Sequence, residues 1–252
     1  MGTFIVAVGQ ETPIADVGAE VYTHQTFSKD RYLSPALNSY GHATPVVAGR
    51  LQEAGKGAAA VIVGTDFTDA ADTLVMDLRQ VYAVDGLEKL ERTFVYSRAG
   101  EGALTVSDEV SYTAPQTFEV GIVTLGTVRQ IGPREALFYG DREALRVEVE
   151  TADGGIALRI ERLDATLRGT AKATRLGIAF TQPVQTARLA VRITPAEHPY
   201  FLAGQTILNG GFEQELEHWR ISERTPMTTL ATEPVASGRH ALRIVDTSTA
   251  TG

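Results

Sequence analysis

One polar and aromatic segment near the start of the chain carries most of the side chains that could do chemistry. Its candidate groove residues, in chain order, are His24, Arg31, Tyr32, Asn38, Tyr40 and His42. An arginine can hold a carboxylate through two parallel hydrogen bonds, and a tyrosine ring can stack on the face of a sugar. These residue types are compatible with contacts to a carboxylate and to a sugar ring, and the favoured alternative is that they are ordinary loop anchors.

Asp16 stands where a short second strand should end, ahead of this segment. The segment must return beside that strand so that a later strand, beginning at Thr44, can pair. We therefore expect Asp16 and His42 to face a common groove, with His24 and Arg31 near its rim. The alternative is structural, because an aspartate just ahead of a glycine is a typical turn residue.

Apolar and polar residues alternate along much of the chain, which predicts an all-β framework for these residues. The clearest example covers 145–161, where two alternating runs flank an Asp-Gly pair, the pattern of a β-hairpin. The positions expected to be buried are Leu145, Val147, Val149, Ile156, Leu158 and Ile160. The positions expected to be exposed are Arg146, Glu148, Arg159 and Glu161.

Two runs, 4–8 and 58–63, are apolar at nearly every position and predict central strands that are buried on both faces. Many short strands with turn signals between them are typical of a two-layer antiparallel β-sandwich. Helical periodicity is nearly absent, so we expect less than about a tenth of the residues in helix.

The composition of the chain argues against nucleic-acid and membrane partners. The chain has 252 residues, no cysteine, a net charge of −8 and a pI of about 5.2, which argues against nucleic acid as a partner. No apolar run is long enough for a membrane helix, so no membrane partner is expected. The start of the chain has no signal-peptide pattern. If the parent protein is secreted or periplasmic, its signal is expected upstream.

Proline and glycine interrupt the strand pattern over 195–205, which predicts three regions: a β-sandwich at 1–196, a linker at 197–206 that includes His198, and a second module at 207–252. That module contains Asn209-Gly210-Gly211-Phe212-Glu213, then Trp219, then a Ser-Gly-x-x-Ala-Leu-x-Ile strand at 237–244. This order resembles the start of a carbohydrate-binding jelly roll of the family 4/9 type, here incomplete. The resemblance implies a core position for Trp219 and a possible calcium ligand in Glu213.

Several motifs over about 2–195 resemble the C-terminal β-sandwich of heparinase II/III-type polysaccharide lyases. They are Gly2-Thr3-Phe4, Asp77-Leu78 followed by Tyr82, Arg92-Thr93-Phe94 and Val106-Ser107-Asp108. In that family an Asn-His-Asn-Asp-like segment with a catalytic histidine precedes the first motif. We therefore expect the chain to be part of a longer enzyme, with no complete catalytic set of its own.

The resemblance implies cleavage of uronic-acid polysaccharides by β-elimination, in which a base removes the proton α to the carboxylate while other groups stabilise the developing enolate. It also implies a zinc site in the parent, with Asp16 as one ligand. The family's later histidine ligand aligns with Leu37, so His42 is the candidate replacement.

Two other functions are compatible with the residues. A non-catalytic carbohydrate-binding or structural β-sandwich needs no acid/base set. An independent metal-dependent hydrolase would have only Asp16, His24 and His42 available.

Overall fold

Strands make up just over half of the residues that the structure describes. The structure is a computed structural model that describes residues 1–18, 20–151, 154–165, 167, 172–200, 228–233 and 239–244. The chain divides into two compact units, 1–196 and 197–252. The strands are β1 (Val6–Val8), β2 (Glu11–Ile14), β3 (Pro45–Val47), β4 (Val61–Phe67), β5 (Ala71–Asp77), β6 (Leu87–Ser97), β7 (Ala103–Gln116), β8 (Phe118–Thr124), β9 (Thr127–Gly132), β10 (Glu135–Tyr139), β11 (Ala144–Thr151), β12 (Ile156–Arg162), β13 (Thr174–Phe180), β14 (Val184–Ala196), β15 (Thr228–Ala231) and β16 (Ala241–Ile244). The helices of the described residues are four 3-10 turns, Gln25–Phe27, Arg31–Leu33, Ser39–Gly41 and Arg79–Val81.

Two antiparallel sheets form the first unit, as the alternating pattern predicted. The large sheet has eight strands in the order β4-β5-β6-β7-β14-β11-β10-β9, and the small sheet has four in the order β12-β13-β8-β3. Strands β1 and β2 form a separate ribbon, and β15 pairs with β16 in the second unit. The all-β sandwich expected from the sequence is confirmed.

A single apolar core lies between the two sheets of the first unit. The small sheet contributes Phe118, Val120, Ile122, Leu176 and Ile178, and the large sheet contributes Val106, Val110, Val147, Leu189 and Val191. These residues occupy alternate positions of their strands, so the other side chains of each strand point away from the core.

The long segment between β2 and β3 packs over the outer face of the small sheet. Its Val17 and Ala36 are buried with Val123, Leu163 and Ala173 in a second, smaller apolar cluster. The backbone N–H of Ala15 donates to the carbonyl of Val123 in β8, 3.0 Å away. This packing keeps the candidate groove residues on one side of the molecule.

The predicted hairpin at 145–161 is wrong in its pairing. Strand β11 lies in the large sheet between β14 and β10, whereas β12 pairs with β13 in the small sheet. The connection therefore crosses from one sheet to the other, and Asp153 within it lies outside the described residues. Alternation indicates which face of a strand is buried, but it does not identify the neighbouring strand.

The burial predicted for this region is correct for β11 and only partly correct for β12. Leu145, Val147 and Val149 are buried, and Arg146, Glu148 and Arg159 are exposed. Ile156, Leu158 and Glu161 are half-buried, and Ile160 is 40% exposed. Because β12 is an edge strand, its inward face meets the margin of the core.

Both fully apolar runs were wrongly predicted to be central. Strand β1 belongs to the two-stranded ribbon, where Phe4 is half-buried and Ile5 is 59% exposed. Strand β4 is the edge of the large sheet, and Ile62 in it is 61% exposed. An unbroken apolar run is compatible with burial on two faces but does not require it.

The second unit is described only in part. His198 and Tyr200, within the expected linker, are buried and pack edge to face at 6.1 Å. Glu213 and Trp219 lie outside the described residues, as does most of the expected carbohydrate-binding module. Among the described residues, no helix has the length and apolar character needed to cross a membrane.

Two phenylalanines of the large sheet test the position of the core. Phe138 in β10 is fully buried, and Phe67 in β4 is 67% exposed. We expect Phe138→Ala to lower the free energy of unfolding by about 3–5 kcal/mol, because it removes a large side chain from a packed core. Phe67→Ala should change it by less than about 0.5 kcal/mol. Urea unfolding measures both, and equal losses would contradict the assigned core.

Candidate functional site

Asp16 and His42 meet at the wall of a polar cavity of about 300 Å³. The oxygen Oδ2 of Asp16 lies 2.8 Å from Nδ1 of His42. Both side chains are partly exposed, at 34% and 24% respectively. The residues that line the cavity are Met1, Thr3, Asp16, Tyr32, Leu37, Asn38, Ser39, His42, Thr44, Gln52, Glu53 and Ala54.

Asp16 is held by the local turn as well as by the histidine. Its Oδ1 accepts a hydrogen bond of 3.0 Å from the backbone N–H of Gly18, which has a φ of +71°. A left-handed residue two positions after an aspartate is typical of such a turn. Asp16 is therefore both a turn residue and a partner of His42, since each role uses a different carboxylate oxygen.

The contact with Asp16 occupies Nδ1 of His42, so a ligand would contact Nε2. A neutral imidazole that donates its Nδ1 hydrogen to a carboxylate leaves Nε2 as the acceptor, and this contact fixes the ring orientation. His42 follows the 3-10 turn Ser39–Gly41, and its backbone N–H donates to the carbonyl of Ser39. The arrangement is suited to hydrogen bonding or proton transfer at Nε2.

Asn38 and Tyr32 form a second part of the cavity wall. Asn38 begins the same 3-10 turn, where its Oδ1 accepts from the backbone N–H of Tyr40 at 2.8 Å. Its Nδ2 donates to the carbonyl of Tyr32 at 3.1 Å. The Tyr32 side chain is 50% exposed and is available for stacking. Both residues line the same cavity as Asp16 and His42.

Tyr40 packs against the small sheet and not at the cavity. Its ring packs over the guanidinium of Arg175, 4.1 Å from the ring centre, and its hydroxyl contacts Glu161 and Arg159 on the outer face of the small sheet. Burial raises the pKa of the Tyr40 hydroxyl, and the hydrogen bond with Glu161 raises it further. Tyr40 is therefore a protonated anchor, and it does not line the cavity.

His24 and Arg31 do not line the cavity themselves, but the guanidinium of Arg31 lies 5.8 Å from the ring centre of Tyr32, which does. His24 is exposed just before the 3-10 turn Gln25–Phe27. Arg31 donates from Nη1 to the carbonyl of Thr26 at 2.9 Å, which braces the segment internally. The loop-anchor interpretation describes the observed contacts of Arg31.

Several residues of the site were missed by sequence reasoning. Gln52 lines the cavity, and its backbone N–H donates to Oγ of Ser39 at 2.9 Å, but its position in a loop gives no sequence signal. Arg92 and Asp108, noted in the sequence only as parts of two motifs, form a buried pair behind the cavity. Their positions do give a sequence signal. Both residues occupy core-facing positions of alternating strands, between Leu90 and Phe94 and between Val106 and Val110.

Zinc does not fit the Asp16–His42 pair as it stands. Structural zinc takes four ligands at about 2.0–2.2 Å, which separates neighbouring ligand atoms by roughly 3.3 Å. The two facing atoms here are 2.8 Å apart, a hydrogen-bond distance. The described residues also contain no group of three or more His, Cys, Asp or Glu side chains that could surround a metal ion.

Comparison with solved structures identifies proteins of similar fold. The chain is similar to a heparinase III gene product (TM-score 0.63, 15% identity, 78% of this chain and 30% of that one) and to a second heparinase III structure (0.61, 16%, 78% and 29%). It is also similar to the heparan sulfate lyase HepC from Pedobacter heparinus (0.62, 14%, 97% and 36%). No protein-family model and no curated protein matches the sequence.

These identities are low enough that the likeness concerns the fold alone. The chain spans about a third of the length of the solved structures that it matches. The two stacked sheets of the first unit agree with this likeness. The chain contains a heparinase-like β-sandwich.

Proposed function

We propose that this chain is the β-sandwich portion of a polysaccharide lyase that cleaves uronic-acid-containing glycans by β-elimination. The observation that carries the proposal is the Asp16–His42 pair, a carboxylate-oriented imidazole in a polar cavity on a heparinase-like sandwich. The catalytic groups that complete the reaction would come from another part of a longer protein.

In this proposal the cavity is one wall of the glycan cleft. His42 presents Nε2 to the substrate, because the contact with Asp16 occupies Nδ1. Such a group can hydrogen-bond the uronate or exchange a proton with it, and either role stabilises the charge that develops during α-proton removal. Tyr32 offers an exposed ring for stacking at the rim.

The charge of the chain limits what this wall can contribute. The net charge of −8, together with Asp16 and Glu53 in the cavity lining, repels an acidic polysaccharide. The basic residues that would attract the glycan therefore belong, in this proposal, to the opposite wall. Binding by this chain alone is expected to be weak.

The test is a lyase assay that follows the ultraviolet absorbance of the unsaturated uronate product on heparan sulfate, alginate and related glycans. We expect no turnover by this chain alone, because in this proposal the remaining catalytic groups come from another part of a longer protein. A longer protein that contains this chain and an upstream catalytic region should turn over at least one of these glycans. Turnover by the chain alone, or none by the longer protein, would contradict the proposal.

Two histidines supply a matched pair of variants in the longer protein. His42→Ala and Asp16→Ala should each lower kcat/KM about tenfold or more, because they remove the oriented imidazole or the group that orients it. His24→Ala removes an exposed imidazole outside the cavity and should leave kcat/KM unchanged. If His24→Ala and His42→Ala lowered kcat/KM equally, the result would contradict a role of the cavity in the reaction.

Zinc binding is a separate test of the same pair. We expect this chain to bind zinc more weakly than a Kd of about 1 μM, because two ligands without a third give little affinity. Isothermal titration calorimetry measures the affinity, with His42→Ala as the control. Saturable binding tighter than this value, lost in the variant, would show that the pair is a metal site.

A further inference from the structure

Arg92 is completely buried and makes four hydrogen bonds to groups from three parts of the chain. Its Nε and Nη2 each donate to one oxygen of Asp108 at 2.8 Å. Its Nη1 donates to the carbonyl of Gly2 at 2.6 Å and to the carbonyl of Ala43 at 2.7 Å. Asp108 balances the buried charge, which leaves Nη1 to hold the two carbonyls.

Both carbonyls belong to segments that form the cavity wall. Gly2 lies between Met1 and Thr3, which line the cavity, and Ala43 directly follows His42. The two segments are also joined to each other, because the backbone N–H of Ala43 lies 3.3 Å from Oγ1 of Thr3. The Nη1 atom of Arg92 thus joins the first residues of the chain to the backbone that carries His42.

We propose that Arg92 is a positioning residue for His42, which it holds against Asp16 through the carbonyl of Ala43. Only the expected effect of Arg92 on catalysis rests on the function proposed above. Its geometric part concerns the Asp16–His42 contact and can be tested without a glycan.

An arginine is required for this arrangement. Four acceptor atoms surround the side chain, two from Asp108 and two from the backbone carbonyls. A lysine ammonium has only three hydrogens, and these diverge from one nitrogen, so it cannot serve all four acceptors. The lysine nitrogen also falls near the position of the guanidinium carbon, one bond short of Nη1, which is the atom that holds both carbonyls. Arg92→Lys should therefore preserve the charge pair with Asp108 and lose the contacts with the carbonyls of Gly2 and Ala43.

The main variant removes both buried charges together. Replacement of a buried ion pair by apolar residues of similar volume commonly preserves folding, whereas removal of one partner does not. The double variant R92M/D108L therefore keeps the packing of β6 on β7 and deletes the two bonds to the carbonyls. The matched control is K89M/E109L, which changes an exposed ion pair on the same two strands that has no contact with Gly2 or Ala43.

The measurement is the nitrogen NMR spectrum of the His42 imidazole at a fixed neutral pH, which reports the ring nitrogen that carries the hydrogen. In the unchanged chain and in K89M/E109L we expect one ordered signal with the hydrogen on Nδ1. In R92M/D108L and in Arg92→Lys we expect the averaged signal of a mobile imidazole, with folding verified by circular dichroism.

A folded R92M/D108L protein with an unchanged His42 signal would overturn the proposal. If that variant fails to fold, an unchanged signal in Arg92→Lys would overturn it in the same way. The NMR result does not depend on glycan cleavage, so failure of the proposed function leaves it unaffected. If both proposals hold, R92M/D108L in the longer lyase lowers kcat about as much as His42→Ala does.

Discussion

The buried guanidinium of Arg92 is the constraint on which the candidate site depends. A charge in the core is stable only when it is paired and hydrogen-bonded, and Asp108, opposite it on the neighbouring strand, supplies that pairing. Because the guanidinium has more donors than one carboxylate can accept, it also binds the backbone at Gly2 and Ala43. The large sheet is thereby connected to the two segments that form the cavity.

A second anchor holds the same segment from the other side. Tyr40 packs on the fully buried guanidinium of Arg175, and its hydroxyl meets Arg159 and Glu161 of the small sheet. Only Gly41 separates this anchor from His42, and Ala43 and Thr44 separate His42 from β3. The imidazole is therefore held between a contact with the small sheet and a contact with the large sheet, and Asp16 sets the orientation of its ring.

The sequence predicted the fold class and a common groove for Asp16 and His42, and it failed where long-range pairing decides the outcome. Alternation in β11 identified its buried face, but the assignment of β12 as its partner was wrong, because a short turn can also connect two sheets. The apolar run in β4 indicated a central strand, yet the strand is an edge. Arg31 and Tyr40 have the residue types of a binding surface, but their observed contacts are with this chain. The contacts of Arg92 with the carbonyls of Gly2 and Ala43 join residues that are far apart in sequence, so no local pattern reveals them.

The central claim is that the cavity beside Asp16 and His42 is one wall of a glycan cleft. It is tested most directly by NMR titration of this chain with an unsaturated uronate disaccharide, the product class of β-elimination, since this method detects weak binding. We expect a saturable shift of the His42 imidazole and of the Asn38 side-chain amide, abolished in Asp16→Ala and retained in His24→Ala. Saturable shifts confined to residues outside the cavity, with His42 and Asn38 unchanged, would contradict the account.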